Sequence, residues 1–133
     1  MNNPAPGFKT RPGHRIETKP AGRRVQIKYK GELIGDSRNA LVMHEGTYAP
    51  VYYLPRADVK MDRLARTSHH THCPFKGDAS YYSIAKGPEN AVWSYEQPYD
   101  EMMPIKGLLA FYPDKVEIAV TEENAVAPAK AGE

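Results

Sequence analysis

The chain has 133 residues, which is the size of one compact domain. Its 18 Lys and Arg side chains nearly balance its 16 Asp and Glu side chains, and a net charge of +2 argues against nucleic-acid binding, which needs a concentrated basic face. A single cysteine excludes an internal disulfide, and the sequence lacks both the apolar core of a signal peptide and a run of ~20 apolar residues. We therefore expect a cytoplasmic protein without a membrane partner.

Both ends of the sequence are poor in bulky apolar residues and rich in Pro, Gly, Ala or Glu. Such composition does not support a packed core. We therefore expect a flexible N-terminal segment over residues 1–13, a single β-rich domain over residues 14–120 and a flexible C-terminal tail over residues 121–133.

Twelve prolines and ten glycines punctuate the chain, which is typical of short strands. The clearest strand is predicted over residues 24–30, where Val25, Ile27 and Tyr29 alternate with polar residues and mark one buried face. Gly31 then turns the chain into a hairpin partner at residues 33–36. Further strands are predicted over residues 40–43, 50–55, 80–85, 91–96, 107–112 and 115–120, with a tight turn at residues 113–114.

A short helical turn is predicted over residues 61–66, which contain good helix formers, and Asp58 is a candidate cap for it. The sequence shows no internal repeat and no coiled-coil heptad. The predicted fold class is therefore all-β, with seven to nine short strands and one short helical turn.

Four ordered motif blocks, within about residues 24–120, resemble the bacterial family called domain of unknown function 427. They are Val51-Tyr52-Tyr53-x-Pro55-x-x-Asp58-Val59, Thr71-x-Cys73-Pro74-x-Lys76-Gly77-x-Ala79-x-Tyr81, Ala91-x-Trp93-x-Tyr95-x-x-Pro98 and Ile105-x-Gly107-x-x-Ala110-Phe111-Tyr112. The resemblance implies a β-tent fold, a compact pair of antiparallel sheets that lean together. Methionine sulfoxide reductase B and the thalidomide-binding domain of cereblon are relatives with this fold.

The resemblance carries over neither a metal nor an activity. Many β-tent proteins hold a structural zinc with two Cys-x-x-Cys pairs, but this sequence has no such pair, so no metal or other cofactor is predicted. The family's short name suggests nucleotidyl transfer. That chemistry needs carboxylates that hold a divalent metal and a loop that cradles phosphate, and the sequence shows neither pattern.

Cys73 is the first candidate catalytic residue. Lys76 or the neighbouring histidines would activate it as a nucleophilic or redox thiol, because a nearby positive charge favours the thiolate. The alternative is a buried small hydrophobic residue, since free cysteine is among the most buried residue types.

Lys76 and Glu45 are the other two candidate catalytic residues. Lys76 precedes Gly77 and Asp78 in a predicted turn where Gly77 takes a positive φ, and it would present its charge to an anionic ligand or simply to solvent. Glu45 precedes a glycine and is a candidate general base or ligand contact. Its alternative is an ordinary hairpin-turn carboxylate.

The aromatic residues of the matched blocks are the candidate ligand-binding residues. Trp93 and Tyr95 share one face of a strand, and with Tyr53 they are predicted to line a concave pocket whose hydroxyls orient a ligand. Tyr81 and Thr71 belong to the same predicted ligand-binding set. The alternative is a small β core filled with rings.

Three histidines close to Cys73 invite a metal interpretation. In an extended strand His70 and His72 share a face, while His69 and Cys73 point to the other face. A catalytic zinc needs a third protein ligand, which Glu45 or His44 would have to supply across the sheet. Loop histidines are the favoured interpretation, and no metal site is predicted.

The sequence thus predicts a domain that binds an unidentified small molecule in an aromatic-lined cleft beside Cys73 and Lys76. It leaves open whether the domain is an enzyme. The alternative is a non-enzymatic interaction or scaffold module that works through an exposed strand edge or through the basic face at Arg24, Lys28 and Lys30. Free strand edges would also allow two copies of the chain to pair as a homodimer.

Overall fold

The structure is a computed structural model that describes residues 2–121, so the predicted C-terminal tail beyond Thr121 lies outside the described residues. Besides three 3-10 helices at Arg56–Asp58, Met61–Arg63 and Asp100–Ile105, the described part contains one short α-helix and ten strands. In chain order these are α1 (Gly7–Thr10), β1 (Ile16–Pro20), β2 (Arg24–Tyr29), β3 (Glu32–Ser37), β4 (Leu41–Glu45), β5 (Val51–Tyr53), β6 (Leu64–Cys73), β7 (Gly77–Ile84), β8 (Val92–Ser94), β9 (Ala110–Phe111) and β10 (Glu117–Thr121).

The strands form antiparallel sheets in the orders β1-β4-β5, β6-β7-β8-β9 and β10-β2-β3. The first two sheets are joined where Leu54 and Leu109 exchange backbone hydrogen bonds of 2.8 and 2.9 Å. The result is one curled layer in the order β1-β4-β5-β9-β8-β7-β6. The sheet β10-β2-β3 forms a second layer. The predicted all-β antiparallel fold is confirmed, and the described residues contain one strand more than the upper limit predicted.

The hairpin of β2 and β3 shows the alternation of buried and outward residues that predicted it. Val25 and Ile27 are buried, and Tyr29 packs against the same core, while the residues between them face outward. Lys30 and Gly31 both adopt positive φ and make the two-residue turn that joins the strands.

Two structural expectations need correction. A short 3-10 helix does form at Met61–Arg63, but Asp58 does not cap it. Asp58 lies in a 3-10 turn at Arg56–Asp58, and its carboxylate accepts a 2.7 Å hydrogen bond from the Ser37 hydroxyl. The turn at residues 113–114 makes no hairpin, because β9 pairs with β8 whereas β10 pairs with β2. It carries the chain from one layer to the other.

The curled layer has a different core on each of its two faces. The first core lies between the layers and contains mainly aliphatic side chains, among them Val25, Ile27, Ile34, Leu54, Ile84 and Val92. The aromatic core lies on the other face and contains Met43, Tyr53, Ala79, Tyr81, Tyr95, Met102, Ile105 and Ala110. The aromatic core therefore gathers tyrosines from β5, from β7 and from the residue after β8.

The N-terminal segment packs onto the domain near the turn between β6 and β7. The Gly7 amide donates to the Pro74 carbonyl at 2.9 Å, and the Phe8 and Phe75 ring centroids are 5.0 Å apart. Asn3 and Asp100 exchange two hydrogen bonds. No helix of the described residues is long and apolar enough to cross a membrane.

Gly7 is expected to be required for this packing. A Cβ at position 7 would lie 2.7 Å from the Phe75 ring and 2.9 Å from the Pro74 carbonyl oxygen, which belongs to the backbone and cannot swing away. We predict that Gly7→Ala lowers the free energy of unfolding by about 1–3 kcal/mol in urea titrations.

The matched control is Gly13→Ala, because a Cβ at position 13 meets no atom within 4 Å. Alanine at position 7 would raise helix propensity in α1. Equal or greater stability of Gly7→Ala would therefore contradict the predicted clash.

Candidate functional site

An ion pair between Glu45 and Lys76 forms the centre of the candidate site. Glu45 ends β4, and Lys76 lies in the turn between β6 and β7. Lys76 Nζ is 2.7 Å from Glu45 Oε1, and only 12% and 17% of the two side chains are exposed. Both residues are candidates from the sequence, and the structure brings them into direct contact.

The contact requires the seven-stranded layer to curl. Three strands separate β4 from β7 in the strand order. In a flat sheet the two strands would be about 19 Å apart, which is farther than a Glu and a Lys side chain reach together. The ion pair therefore lies inside the concave side of the curled layer, which is the side of the aromatic core.

The Glu45 carboxylate is held at both oxygens. His14 Nε2 lies 2.8 Å from Oε2, and its ring stacks on Phe75 with centroids 4.1 Å apart. Burial alone would raise the pKa of Glu45, but the hydrogen bonds from Lys76 and His14 outweigh burial and hold the pKa below its ordinary value. Because an ionised carboxylate only accepts hydrogen bonds, His14 Nε2 must carry a proton.

Cys73 completes the group. Its Sγ atom lies 3.9 Å from Lys76 Nζ, and the side chain is half-buried. The Lys76 ammonium has three N–H groups. Within residues 2–121 its acceptors are Glu45 Oε1 and Cys73 Sγ, so one N–H has no partner there.

Two phenols of the aromatic core lie beside this group. Burial raises the pKa of both Tyr53 and Tyr95, and the nearby Glu45 carboxylate raises both further. The Tyr95 hydroxyl has no hydrogen-bond partner among the described residues. The Tyr95 side chain is buried, with 7% of the residue exposed.

The remaining predicted ligand-binding residues form a second group on the same face. The Thr71 and Tyr81 hydroxyls are 2.9 Å apart, and Tyr81 OH is 3.4 Å from Tyr112 OH. Burial first, and then the contact with Tyr81, raises the pKa of Tyr112 to about 12. Trp93 joins the groups, because its ring centroid lies 4.5 Å from that of Tyr112 and 6.4 Å from that of Tyr53.

The histidines near Cys73 lie on both faces of β6. His70 and His72 pair with Ser80 and Asp78 across the ladder and share a face, whereas His69 packs on the Tyr81 ring. Glu45, one of the suggested third ligands, belongs to the ion pair on the other face. In residues 2–121, no three His, Cys, Asp or Glu side chains are grouped closely enough to hold a metal ion.

A polar network surrounds Glu96, and the sequence did not predict it. Arg56, Arg66, Ser80 and Tyr82 all donate hydrogen bonds to the Glu96 carboxylate. Hydrogen bonds from Tyr82 and Ser80 and the charges of both arginines outweigh the effect of burial and hold its pKa below the ordinary value. The only signal in the sequence is that small polar residues, such as Ser80 and Ser94, occupy buried strand positions.

Fold and site together define a small all-β domain with a shielded ion pair, a thiol and tyrosines on the concave side of a curled sheet. A family model described as a domain of unknown function (DUF427) matches residues 17–122. The match covers more than half of the chain, so the chain belongs to this family, as the four motif blocks predicted. No curated protein matches the chain.

Loss of Glu45 alone is expected to destabilise the fold. Glu45→Gln would leave the shielded Lys76 ammonium without a carboxylate, so we predict a loss of about 2–3 kcal/mol in the free energy of unfolding at pH 7. The exposed Glu17, which forms no ion pair within residues 2–121, provides the control. Glu17→Gln should change stability by about 0.5 kcal/mol or less.

The same pair of variants gives a pH test. Because the pKa of Glu45 is lower in the folded state, its contribution is present above the ordinary value of 4.5 and is lost as pH falls through the folded pKa. The acid decline in stability should therefore be shallower in Glu45→Gln than in wild type and unchanged in Glu17→Gln. Identical declines in all three proteins would show that Glu45 has an unperturbed carboxyl group.

Proposed function

We propose that the domain binds a small molecule at the group formed by Glu45, Lys76, Cys73 and the adjoining tyrosines. The observation that carries this proposal is a shielded ion pair together with two donors that have no partner within residues 2–121, the third N–H of Lys76 and the hydroxyl of Tyr95. A ligand with acceptor oxygens would offer partners to these donors. Its apolar part would contact the aromatic rings.

The cost of the ion pair supports a binding role. Removing two charges from water is expensive, and apolar residues of similar volume commonly stabilise a fold as well as or better than a buried pair. A fold alone therefore does not require Glu45 and Lys76 at these positions. Shielded charges next to a thiol are typical of functional sites.

Cys73 is the residue that we propose for any chemical step. Its sulfur atom is the nucleophile of the group, and Lys76 is the cation that would stabilise negative charge on the sulfur or on the ligand. Turnover would make the domain an enzyme, and binding without turnover would make it a receptor. We place this role in the bacterial cytoplasm, where a free thiol persists.

A second candidate function is an interaction module, and the observation that favours it is strand β6. This ten-residue strand lies at one end of its sheet, and most of its side chains are exposed. Such an edge offers unpaired backbone groups to another strand. Against it, the register between β6 and β7 shifts between Arg66 and His70, and irregular edges disfavour pairing. An interaction through the basic face at Arg24, Lys28 and Lys30 is less well supported, because Asp36 already binds Arg24 through both oxygens.

Ligand binding is testable through Trp93, the only tryptophan, which lies between Tyr53 and Tyr112. We predict that at least one compound in a library of soluble carboxylates and carbonyl compounds changes its fluorescence saturably. The same compound should slow alkylation of Cys73 by iodoacetamide. Tyr95→Phe should weaken binding several-fold through loss of one hydrogen bond.

The control for that variant is Tyr48→Phe, since Tyr48 is 71% exposed. Iodoacetamide should react with native Cys73 well below the urea transition. A thiol that reacts only in proportion to the unfolded fraction would exclude a chemical role for Cys73 in the folded protein. If no compound in the library changes Trp93 fluorescence saturably, the proposed binding role is wrong. If the protein dimerises with rising concentration and a proline substitution in β6 abolishes the dimer, the interaction module is favoured.

A further inference from the structure

The N-terminal strap, residues 3–14, docks on the domain mainly through its backbone. Three amides of alternate residues donate to acceptors outside the strap. They are Asn3 to Asp100 Oδ2 at 2.7 Å, Ala5 to Glu101 Oε1 at 2.8 Å and Gly7 to the Pro74 carbonyl at 2.9 Å. Alternate amides point to the same side of an extended chain, so this part of the strap lies along the domain with one edge.

The last residue of the strap reaches the candidate site. His14 Nε2 lies 2.8 Å from Glu45 Oε2, and the His14 and Phe75 ring centroids are 4.1 Å apart. Phe8 packs against the same Phe75 ring, and only 6% of Phe75 is exposed. Because Phe75 lies in the turn between β6 and β7, the strap covers the turn that carries Lys76 and occupies one oxygen of Glu45.

The strap itself contributes few buried residues to the contact. Only its Ala5 and Gly7 are buried, and neither has a large side chain. Asp100 and Glu101, which accept two of its amides, are exposed residues. Segments held by such contacts open at a lower free energy than a packed core. The strap also lies outside residues 17–122, which the family model matches.

We propose that the N-terminal strap is a lid that opens as a unit while the rest of the domain stays folded. Opening exposes the Phe75 ring and frees the second oxygen of Glu45. A ligand with a planar ring and an N–H donor would then take the position of His14, with its ring on Phe75 and its N–H on the carboxylate. Entry of a ligand at this position rests on the proposed function, whereas the opening of the strap does not.

Amide hydrogen exchange followed by NMR measures the opening in the wild-type chain. The amides of Leu54 and Leu109 bond to each other's carbonyls in the core and report global unfolding. We expect the amides of Ala5 and Gly7 to exchange at least about tenfold faster, after correction for their intrinsic rates. Equal protection at all four positions would show that the strap opens only when the domain unfolds, and it would overturn the proposal.

A variant with the strap held open allows rebinding to be measured. Ala5→Asp places a charged side chain at a buried position beside the Glu101 carboxylate, so we expect it to undock the strap. A synthetic peptide of residues 2–14 should then bind this variant saturably, with amide shifts at Phe75 and Glu45 and a Kd on the order of 0.1–1 mM. The wild-type chain should bind the peptide at least about tenfold more weakly, because its own strap occupies the docking surface.

Thr10→Asp is the matched control, because it adds the same charge at an exposed position of the strap. This variant should keep the strap closed and bind the peptide as weakly as wild type does. Unfolding of the whole domain by Ala5→Asp, or a peptide that binds Ala5→Asp no more tightly than wild type, would overturn the proposal. If the strap opens and the peptide rebinds as expected but no library compound binds, the proposed function alone is wrong.

Discussion

The Glu45–Lys76 ion pair is the contact on which the arrangement of the thiol site depends. It links the end of β4 to the turn between β6 and β7, across three intervening strands. Because a flat sheet would hold these elements far apart, the contact exists only in a curled layer. The curl in turn gathers Cys73 and the tyrosines on one concave side. His14 anchors the second carboxylate oxygen, so the segment before β1 also takes part in the site.

The strands that the sequence predicted are those in which buried side chains recur at a regular spacing. Val25 and Ile27 alternate with outward residues, and Gly77 adopts the positive φ that its turn predicted. The two missed strands, β1 and β6, are the outer strands of the seven-stranded layer. An edge strand has few buried side chains, so β6 shows serine, threonine and histidine on both faces instead of an alternating pattern.

The candidate site was predictable only in part, for a related reason. Cys73 and Lys76 lie three residues apart in one motif, so their contact follows from local geometry. The ion pair with Glu45 and the Glu96 network join residues that are distant in the chain. No spacing in the sequence encodes such contacts, because the curl of the layer and the order of its strands create them. The two faces of β6 and β7 consequently carry two chemically different groups, a thiol with tyrosines on one and arginines with a carboxylate on the other.

The central claim is that the shielded ion pair serves ligand binding and not the stability of the fold. The most direct test is the double variant Glu45→Met, Lys76→Met, which replaces both charges with apolar side chains. Our account predicts a folded protein whose free energy of unfolding lies within about 2 kcal/mol of the wild-type value. It also predicts that this protein no longer binds compounds that change Trp93 fluorescence in the wild type. A double variant that fails to fold, or that binds these compounds unchanged, would contradict the account.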